Sequence, residues 1–198
     1  MSRGARRSPR CSCTASSGST RRCGRRATSS EGRVRAEELA GLVRARYPDV
    51  VVARGEATVV VDRSELMDAL AYLRDDPDLS LDSLSGVTAT DWPGRTPRYW
   101  LAYDLYSMAH THRVRLKVGL PEDDPHVRSV VAMYPTANWH EREVYDFYGI
   151  VFDGHPDLRR ILLPDGWDGY PLRKTEDLGG VNTRYRGAFI PPVDRRTT

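Results

Sequence analysis

Cysteine is confined to one end of this sequence. The three cysteines, Cys11, Cys13 and Cys23, lie within the first 30 of its 198 residues, so residues 31–198 contain none. This absence excludes from the larger part of the chain a disulfide framework, a cysteine-ligated zinc site and a cysteine-held iron–sulfur cluster.

Long apolar runs are also missing. The longest aliphatic run is the four residues Val50–Ala53, whereas a membrane-spanning helix needs about 20 predominantly apolar residues. We therefore expect a protein that is soluble or attached peripherally to a membrane. The 168 residues that follow the first 30 suffice for one domain with its own hydrophobic core.

Acidic residues are absent from residues 1–30, which carry eight arginines, whereas residues 31–198 carry 22 basic and 27 acidic residues. The net charge of +3 therefore describes neither part of the chain. A nucleic-acid-binding domain needs a basic face on its folded part. We accordingly predict no nucleic-acid partner for the body of the protein.

The first 30 residues also lack Leu, Ile, Val, Phe, Tyr and Trp. Such a segment buries too little apolar surface to offset its ordering entropy, so we expect a disordered tail over residues 1–33. It lacks the apolar core that a secretory signal needs. A transit peptide stays an alternative, because the segment is rich in Arg and Ser and free of acids, although it lacks the apolar stripe of an amphipathic helix. The remaining alternatives are an arm for nucleic acid or an anionic membrane, and a tail foreign to the natural protein. The chain's 28 arginines and two lysines are typical of GC-rich coding DNA. Such DNA read upstream of a true start yields Arg, Ser, Gly, Ala, Thr and Cys, as in this tail, with Val34 as an alternative start.

The body alternates between helical and strand periodicity. The pattern predicts helices over 34–46, 64–76 (with Ser64 as N-cap), 126–133 and 139–148, and strands over 50–53, 58–62, 84–91, 99–105, 114–118 and 150–152. Residues 34–153 are therefore predicted to form an α+β two-layer sandwich, with a mixed or antiparallel sheet and helices on one face. Residues 154–198 are rich in Pro, Gly and charge, and we expect an extended, irregular arm that crosses a partner's surface.

The segment Tyr134–Phe152 holds six of the chain's 17 aromatic residues together with three acids and one arginine. Charges among so many aromatics predict a buried, paired charge network on the helix. Asn138 and Glu141 have the spacing of a capping box. Arg142 and Asp146 lie four residues apart and are predicted to pair, and Gly149 is predicted as a left-handed C-cap.

These residues also resemble a known family. Glu141-Arg142-Glu143, Asp146, Phe147-Tyr148, His155, Arg159 and Ile161-Leu162, followed by residues 162–167 and 169–174, are similar to the signature of the respiratory complex I 30-kDa subunit family, which is the C subunit of bacterial NADH–quinone oxidoreductase. The resemblance extends over about residues 35–177 and does not include residues 1–30.

The resemblance implies a subunit that binds no cofactor, in the hydrophilic arm of a proton-translocating NADH:quinone oxidoreductase. It would pack against the hydrogenase-large-subunit-like subunit of the quinone site and lie near cluster-bearing subunits, which together hold NAD, FMN, iron–sulfur clusters and quinone. We expect a peripheral position on the cytoplasmic side of a bacterial membrane. The expected signature and interface residues are Glu141, Arg142, Glu143, Asp146, Phe147, Tyr148, Gly149, His155, Arg159, Arg160, Trp167, Tyr170, Pro171, Arg173 and Lys174.

Two alternatives to this function stay open. One is the equivalent subunit of a membrane-bound hydrogenase-type complex. The other is a stand-alone hydrolytic enzyme that uses His155, Asp157 and Glu143.

Two further features of the sequence are worth testing against the structure, a histidine pair and a tryptophan. His110 and His112 either share a strand face, which allows a metal site, or lie solvated in a loop. Trp92 is expected in the core or at an interface.

Overall fold

The computed structural model describes residues 29–164 and 166–176, together with the backbone of two short strands beyond them. The elements in chain order are α1 (Ser29–Arg44), β1 (Val50–Ala53), β2 (Glu56–Val61), α2 (Leu66–Asp75), β3 (Ser83–Asp91), β4 (Tyr99–Tyr106), β5 (Arg113–Leu120), β6 (His126–Arg128), α3 (Ala137–Tyr148), β7 (Val151–Asp153), β8 (Arg184–Tyr185) and β9 (Ala188–Phe189). The expected disordered tail lies outside the described residues up to residue 28, and α1 includes residues 29–33.

Five strands form the main sheet in the order β1-β2-β5-β4-β3. The β2–β5 pair is parallel, whereas the other three pairs are antiparallel. The neighbouring strands β1 and β2, and likewise β4 and β5, form antiparallel hairpins, and the first turns through Arg54 and Gly55, whose φ angles are 55° and 78°. The predicted α+β fold with a mixed sheet is confirmed.

One face of this sheet forms the core. Along β4 the side chains alternate, with Tyr99, Leu101, Tyr103 and Leu105 buried and the residues between them half-buried. All three helices contribute side chains to the same core on this face, as predicted for helices on one side of the sheet. Alternation of this kind is what a sheet with one covered face requires.

Two local predictions are wrong. Residues 126–128 form strand β6, not a helix, because they pair in parallel with β7 and so find hydrogen-bond partners outside their own segment. Helix α2 begins at Leu66 with Glu65 as N-cap and no side-chain cap bond, so Ser64 is not the N-cap.

The segment after β7 has no regular secondary structure over 154–164 and 166–176. The predicted irregular course is thus present where the chain is described, while most of residues 177–198 lie outside the described residues. The division of the chain into domains at residue 153 stays a prediction. In the part of the chain that the structure describes, no helix is both long and apolar enough to cross a membrane.

Candidate functional site

Helix α3 carries the signature segment. It begins at Ala137, and its N-cap Thr136 makes no side-chain cap bond. The predicted capping box of Asn138 and Glu141 is therefore wrong: Glu141 lies one turn inside the helix, where donors from another segment bind its carboxylate. The predicted C-cap is confirmed, since Gly149 has a φ of 68° and its N–H donates to the carbonyl of Tyr145.

Glu141 is fully buried on the core side of the helix. The Ser129 hydroxyl donates to its Oε2 at 2.6 Å, and the backbone N–H of Val130 donates to Oε1 at 2.8 Å. Burial raises the pKa of Glu141 to about 7, against the lowering effect of these two hydrogen bonds. The carboxyl thereby joins α3 to the segment that follows β6.

Asp146 is the second buried acid of α3, and it holds the start of the irregular segment. Arg160 donates to its Oδ1 at 3.0 Å. Its Oδ2 accepts three consecutive backbone N–H groups, those of Ile161, Leu162 and Leu163, at 3.1, 2.8 and 2.9 Å. The predicted buried charge network is present, but the predicted pair of Asp146 with Arg142 is wrong because Arg160 takes that place.

Arg142 points along the outside of the helix instead. Its guanidinium stacks 5.2 Å from the ring centre of Trp139, and its Nε donates to the Arg159 carbonyl at 3.1 Å. The Arg159 side chain pairs with the Asp157 carboxylate at 2.5 Å, with 76% of that arginine side chain exposed. Glu143 is exposed.

A third buried acid was not singled out from the sequence. Asp91 ends β3, and its carboxylate binds Arg98 through two hydrogen bonds of 2.7 and 2.9 Å. Its Oδ2 also accepts the backbone N–H of Lys174 at 2.8 Å. Arg98 additionally pairs with Glu122 and donates to Thr175 Oγ1 at 3.4 Å. The Arg98 guanidinium lowers the pKa of Asp91, against the raising effect of burial.

Stacked side chains add to the contact that Asp91 and Arg98 make with residues 174 and 175. The Arg173 guanidinium lies 4.5 Å from the ring centre of Tyr170 and 5.5 Å from that of Tyr99, and its Nε donates to the Tyr148 carbonyl at 2.7 Å. A Cβ atom built on Gly149 would lie 2.5 Å from the Tyr170 ring. Glycine at this position thus permits both the left-handed C-cap and the close approach of the tyrosine.

The predicted signature residues fall into three groups. Glu141, Asp146 and Gly149 are buried; Arg142, Phe147, Tyr148, His155, Arg160, Trp167, Tyr170 and Arg173 are half-buried; Glu143, Arg159, Pro171 and Lys174 are exposed. Large apolar side chains beside them are also exposed, namely Trp139 at 64%, Leu162 at 58% and Leu172 at 42%. We call these three residues the apolar rim.

The structure does not assemble the hydrolytic constellation considered above. His155 accepts the backbone N–H of Asp157 at Nδ1, at 3.0 Å, while the Asp157 carboxylate pairs with Arg159. Across residues 29–164 and 166–176, no three His, Cys, Asp or Glu side chains are grouped as a metal site would require.

Two other candidates from the sequence are the pair His110 and His112, and Trp92. The rings of His110 and His112 stack at 5.4 Å, and their Nε2 atoms lie 3.0 and 2.7 Å from the carbonyls of Pro77 and Leu79. Trp92 is 47% exposed, so its predicted place in the core is wrong, whereas a place at an interface stays a prediction.

The chain is similar in sequence to known bacterial proteins. It is 51% identical over 148 residues to the NADH-quinone oxidoreductase C subunit of Mycolicibacterium paratuberculosis, a match that covers 74% of this chain and 63% of that relative. The corresponding C subunit of a Nocardioides species is 49% identical over 150 residues, covering 75% of this chain and 60% of the relative. The chain thus spans less than two thirds of the length of these relatives.

Solved structures share the fold. A trypsin-resistant fragment of Nqo5 superposes with a TM-score of 0.54 at 29% identity, over 63% of this chain and 99% of the fragment. A chain of the membrane-bound sulfane sulfur reductase, an archaeal respiratory membrane complex, superposes with a TM-score of 0.62 at 24% identity, over 73% of this chain and 86% of that one.

The model of one protein family matches residues 59–182, which include the second half of β2, strands β3, β4 and β5, helix α3 and the contacts of Asp91 and Asp146. That match extends over more than half of the chain. The chain belongs to the family of the 30-kDa subunit of the respiratory-chain NADH dehydrogenase.

Proposed function

We propose that this chain is a non-catalytic subunit of the hydrophilic, quinone-reducing arm of an NADH:quinone oxidoreductase. In this role it supports electron transfer from NADH to quinone by packing against the quinone-site subunit. NAD, FMN, the iron–sulfur clusters and quinone would be bound by other subunits. The complex would place the chain peripherally on the cytoplasmic side of the membrane.

The observation that carries this proposal is the way three buried acids are used, two on helix α3 and one at the end of β3. Glu141, Asp146 and Asp91 each accept at least one backbone N–H group from a segment outside their own element. A carboxylate in general acid–base catalysis must reach a substrate proton. These acids instead hold other segments of the chain, most of all residues 158–176, against the sheet domain, which is a structural role.

The apolar rim supports a partner at this face. Trp139, Leu162 and Leu172 are exposed beside half-buried Tyr170 and Arg173. Aromatic residues and arginine are enriched among the residues that dominate binding energy at protein interfaces. Each rim residue is held by a contact of its own segment. The Leu162 N–H donates to Asp146, and Arg142, which stacks on Trp139, donates to the Arg159 carbonyl. The Leu172 N–H donates to the Phe147 carbonyl at 3.2 Å. A surface fixed before binding loses less conformational entropy when a partner docks.

Affinity purification from solubilised membranes tests the proposal. The tagged chain should recover quinone-site and cluster-bearing subunits, and the variant Trp139→Ala/Leu162→Ala should lose them while remaining folded. Val51→Ala is the matched control, because Val51 is 58% exposed on β1, whereas α3 contacts β3 at the opposite edge of the sheet. A native chain that purifies alone and turns over a substrate would contradict the proposal.

The same experiment addresses the hydrogenase-type alternative. The archaeal complex shares the fold at 24% identity, whereas identities near 50% are with subunits named for NADH and quinone. We therefore favour the NADH-linked complex. Co-purifying subunits of a hydrogenase type, without an NADH-oxidising subunit, would reverse that choice.

A further inference from the structure

Glu141 lies at a buried junction of four elements. Helix α3 supplies the residue itself, the segment after β6 supplies Ser129 and Val130, and the loop after β7 supplies His155. Strand β4 supplies Tyr103, whose pKa is raised by burial and further by the charge of Glu141. The side chains of Glu141 and His155 both have no solvent exposure, and the exposed part of half-buried His155 is its backbone.

The hydrogen bonds around His155 determine where its ring carries a proton. The backbone N–H of Asp157 can only donate, and it points at Nδ1 from 3.0 Å. Nδ1 is therefore the acceptor, and the ring proton lies on Nε2, which is 3.2 Å from the Asn138 carbonyl. This arrangement is that of a neutral imidazole. Although Nε2 lies 3.9 Å from Glu141 Oε2, His155 in this tautomer supplies no positive charge to the pair.

Among the described residues, nothing else at the junction balances a charge on Glu141. Within the described residues no lysine or arginine forms an ion pair with it, and the buried Tyr103 hydroxyl has no hydrogen-bond partner there. An ionised carboxylate without a counter-charge in such a place is strongly disfavoured, and such groups usually take up a proton instead.

We propose that Glu141 is the carboxyl of an internal proton-binding site, and that the fold accommodates its protonated form without a counter-charge. In that form Oε1 accepts the Val130 N–H, and the carboxyl proton is donated to the Ser129 hydroxyl oxygen. Loss of the proton places a negative charge near the Nε2–H group of His155, where the carboxylate competes with the Asn138 carbonyl for that proton. Proton binding is thereby coupled to the position of His155, which lies five residues before Arg160, the first residue of the segment that donates to Asp146. This inference does not depend on the identity of any partner subunit.

Infrared difference spectroscopy of the full chain, recorded between about pH 5.5 and about pH 8.5, tests the proposal by detecting a protonated carboxyl directly. The C=O stretch of a protonated carboxylic acid should be present at the lower pH and lost at the higher. This band should be absent from Glu141→Gln at both pH values. Glu143→Gln is the matched control, because Glu143 lies two residues away on the same helix and is exposed; this variant should keep the band.

The stability profile gives a second readout. The folded-state pKa of about 7 lies above the ordinary value of 4.5. Protonation of Glu141 therefore stabilises the folded state fully below pH 4.5, and this stabilisation is lost as the pH rises to about 7. Between these values the unfolding equilibrium constant of the native chain should rise, relative to that of Glu141→Gln, by about tenfold per pH unit and then level off. Parallel profiles, or a band that Glu141→Gln retains, would overturn the proposal.

Ser129→Ala keeps the test decisive if Glu141→Gln does not fold. This variant retains the carboxyl but removes a donor to its ionised form, so the band should persist to higher pH than in the native chain. A band lost at the same pH in both proteins, or missing from both, would overturn the proposal.

Discussion

Replacing Asp146 by asparagine should weaken the protein more than any other conservative change in the signature segment. Asp146 has no solvent exposure, whereas 22% of its partner Arg160 is exposed. The carboxylate accepts one guanidinium bond and three backbone N–H bonds. Asparagine has nearly the same shape, but its amide nitrogen can only donate. Because the partners of both Asp146 oxygens are N–H donors, that nitrogen must face another donor.

The magnitude follows from these contacts. Removing one partner of a buried ion pair costs about 3–5 kcal/mol, because the other charge remains buried without compensation. The asparagine oxygen can still accept some of the N–H groups, and each retained hydrogen bond offsets about 1 kcal/mol. We therefore expect a net loss of about 2–4 kcal/mol, a large share of the 5–15 kcal/mol typical of a folded domain.

Urea unfolding of the full chain measures this loss, and Asp157→Asn is the matched control. Asp157 also pairs with an arginine in the same segment, but 42% of its side chain and 76% of that of Arg159 are exposed. An exposed pair contributes little to stability, so the control should unfold at the native urea concentration. Limited proteolysis should cut residues 158–164 faster in Asp146→Asn than in the control. Equal urea midpoints for the two variants would refute the reasoning.

Two further predictions concern other contacts of the same segment. Gly149→Ala should destabilise the protein by more than the roughly 1–2 kcal/mol expected for a left-handed residue, because its Cβ would also strike Tyr170. Gly154→Ala is the control, because Gly154 has a similar φ of 82° but a Cβ built there would meet no atom within 4 Å. The difference between the urea midpoints of the two variants therefore measures the cost of the clash with Tyr170. Equal losses of stability would contradict this prediction. Asp91 has a pKa lowered by Arg98 below its ordinary 3.8, so its stabilisation is present above about pH 4 and is lost as the pH falls further. Acid titration of the unfolding free energy should therefore be flatter in Asp91→Asn, and parallel curves would count against this assignment.

Regular alternation made most of the sheet predictable from sequence. Strands β4 and β5 alternate strictly between buried apolar residues and more exposed ones, a signal that depends only on their own side chains. Strand β6 has three residues and pairs with β7, which lies more than 20 residues later. So short a segment carries no period of its own, and only its distant partner decides its structure.

The site was predictable in its composition but not in its pairings. The density of charges and aromatics in α3 correctly indicated buried acids, yet the partners assigned to Glu141 and Asp146 came from the same helix. Their actual partners lie 11–17 residues away, and most are backbone N–H groups, which any non-proline residue supplies and no side-chain pattern reveals. The Asp91–Arg98 pair had a usable signal, since both residues flank the Trp92-Pro93-Gly94 turn at neighbouring ends of β3 and β4.

The backbone contacts show how a signature so rich in charge can hold an irregular segment in place, as the proposed non-catalytic role requires. Residues 158–176 lack regular secondary structure where they are described, so their N–H groups find few partners within the segment. Asp146 accepts three of these groups and Asp91 a fourth, while arginines 160 and 173 donate to carbonyls of Gly169 and Tyr148. Fixing the backbone of one residue costs about 1–2 kcal/mol of conformational entropy, and here the buried charges offset that cost before any partner binds. Leu162 and Leu172 can then remain exposed on a rigid surface, because the polar contacts and not their own burial hold the segment in place. A neighbouring protein that covers them would gain apolar burial without having to order the chain.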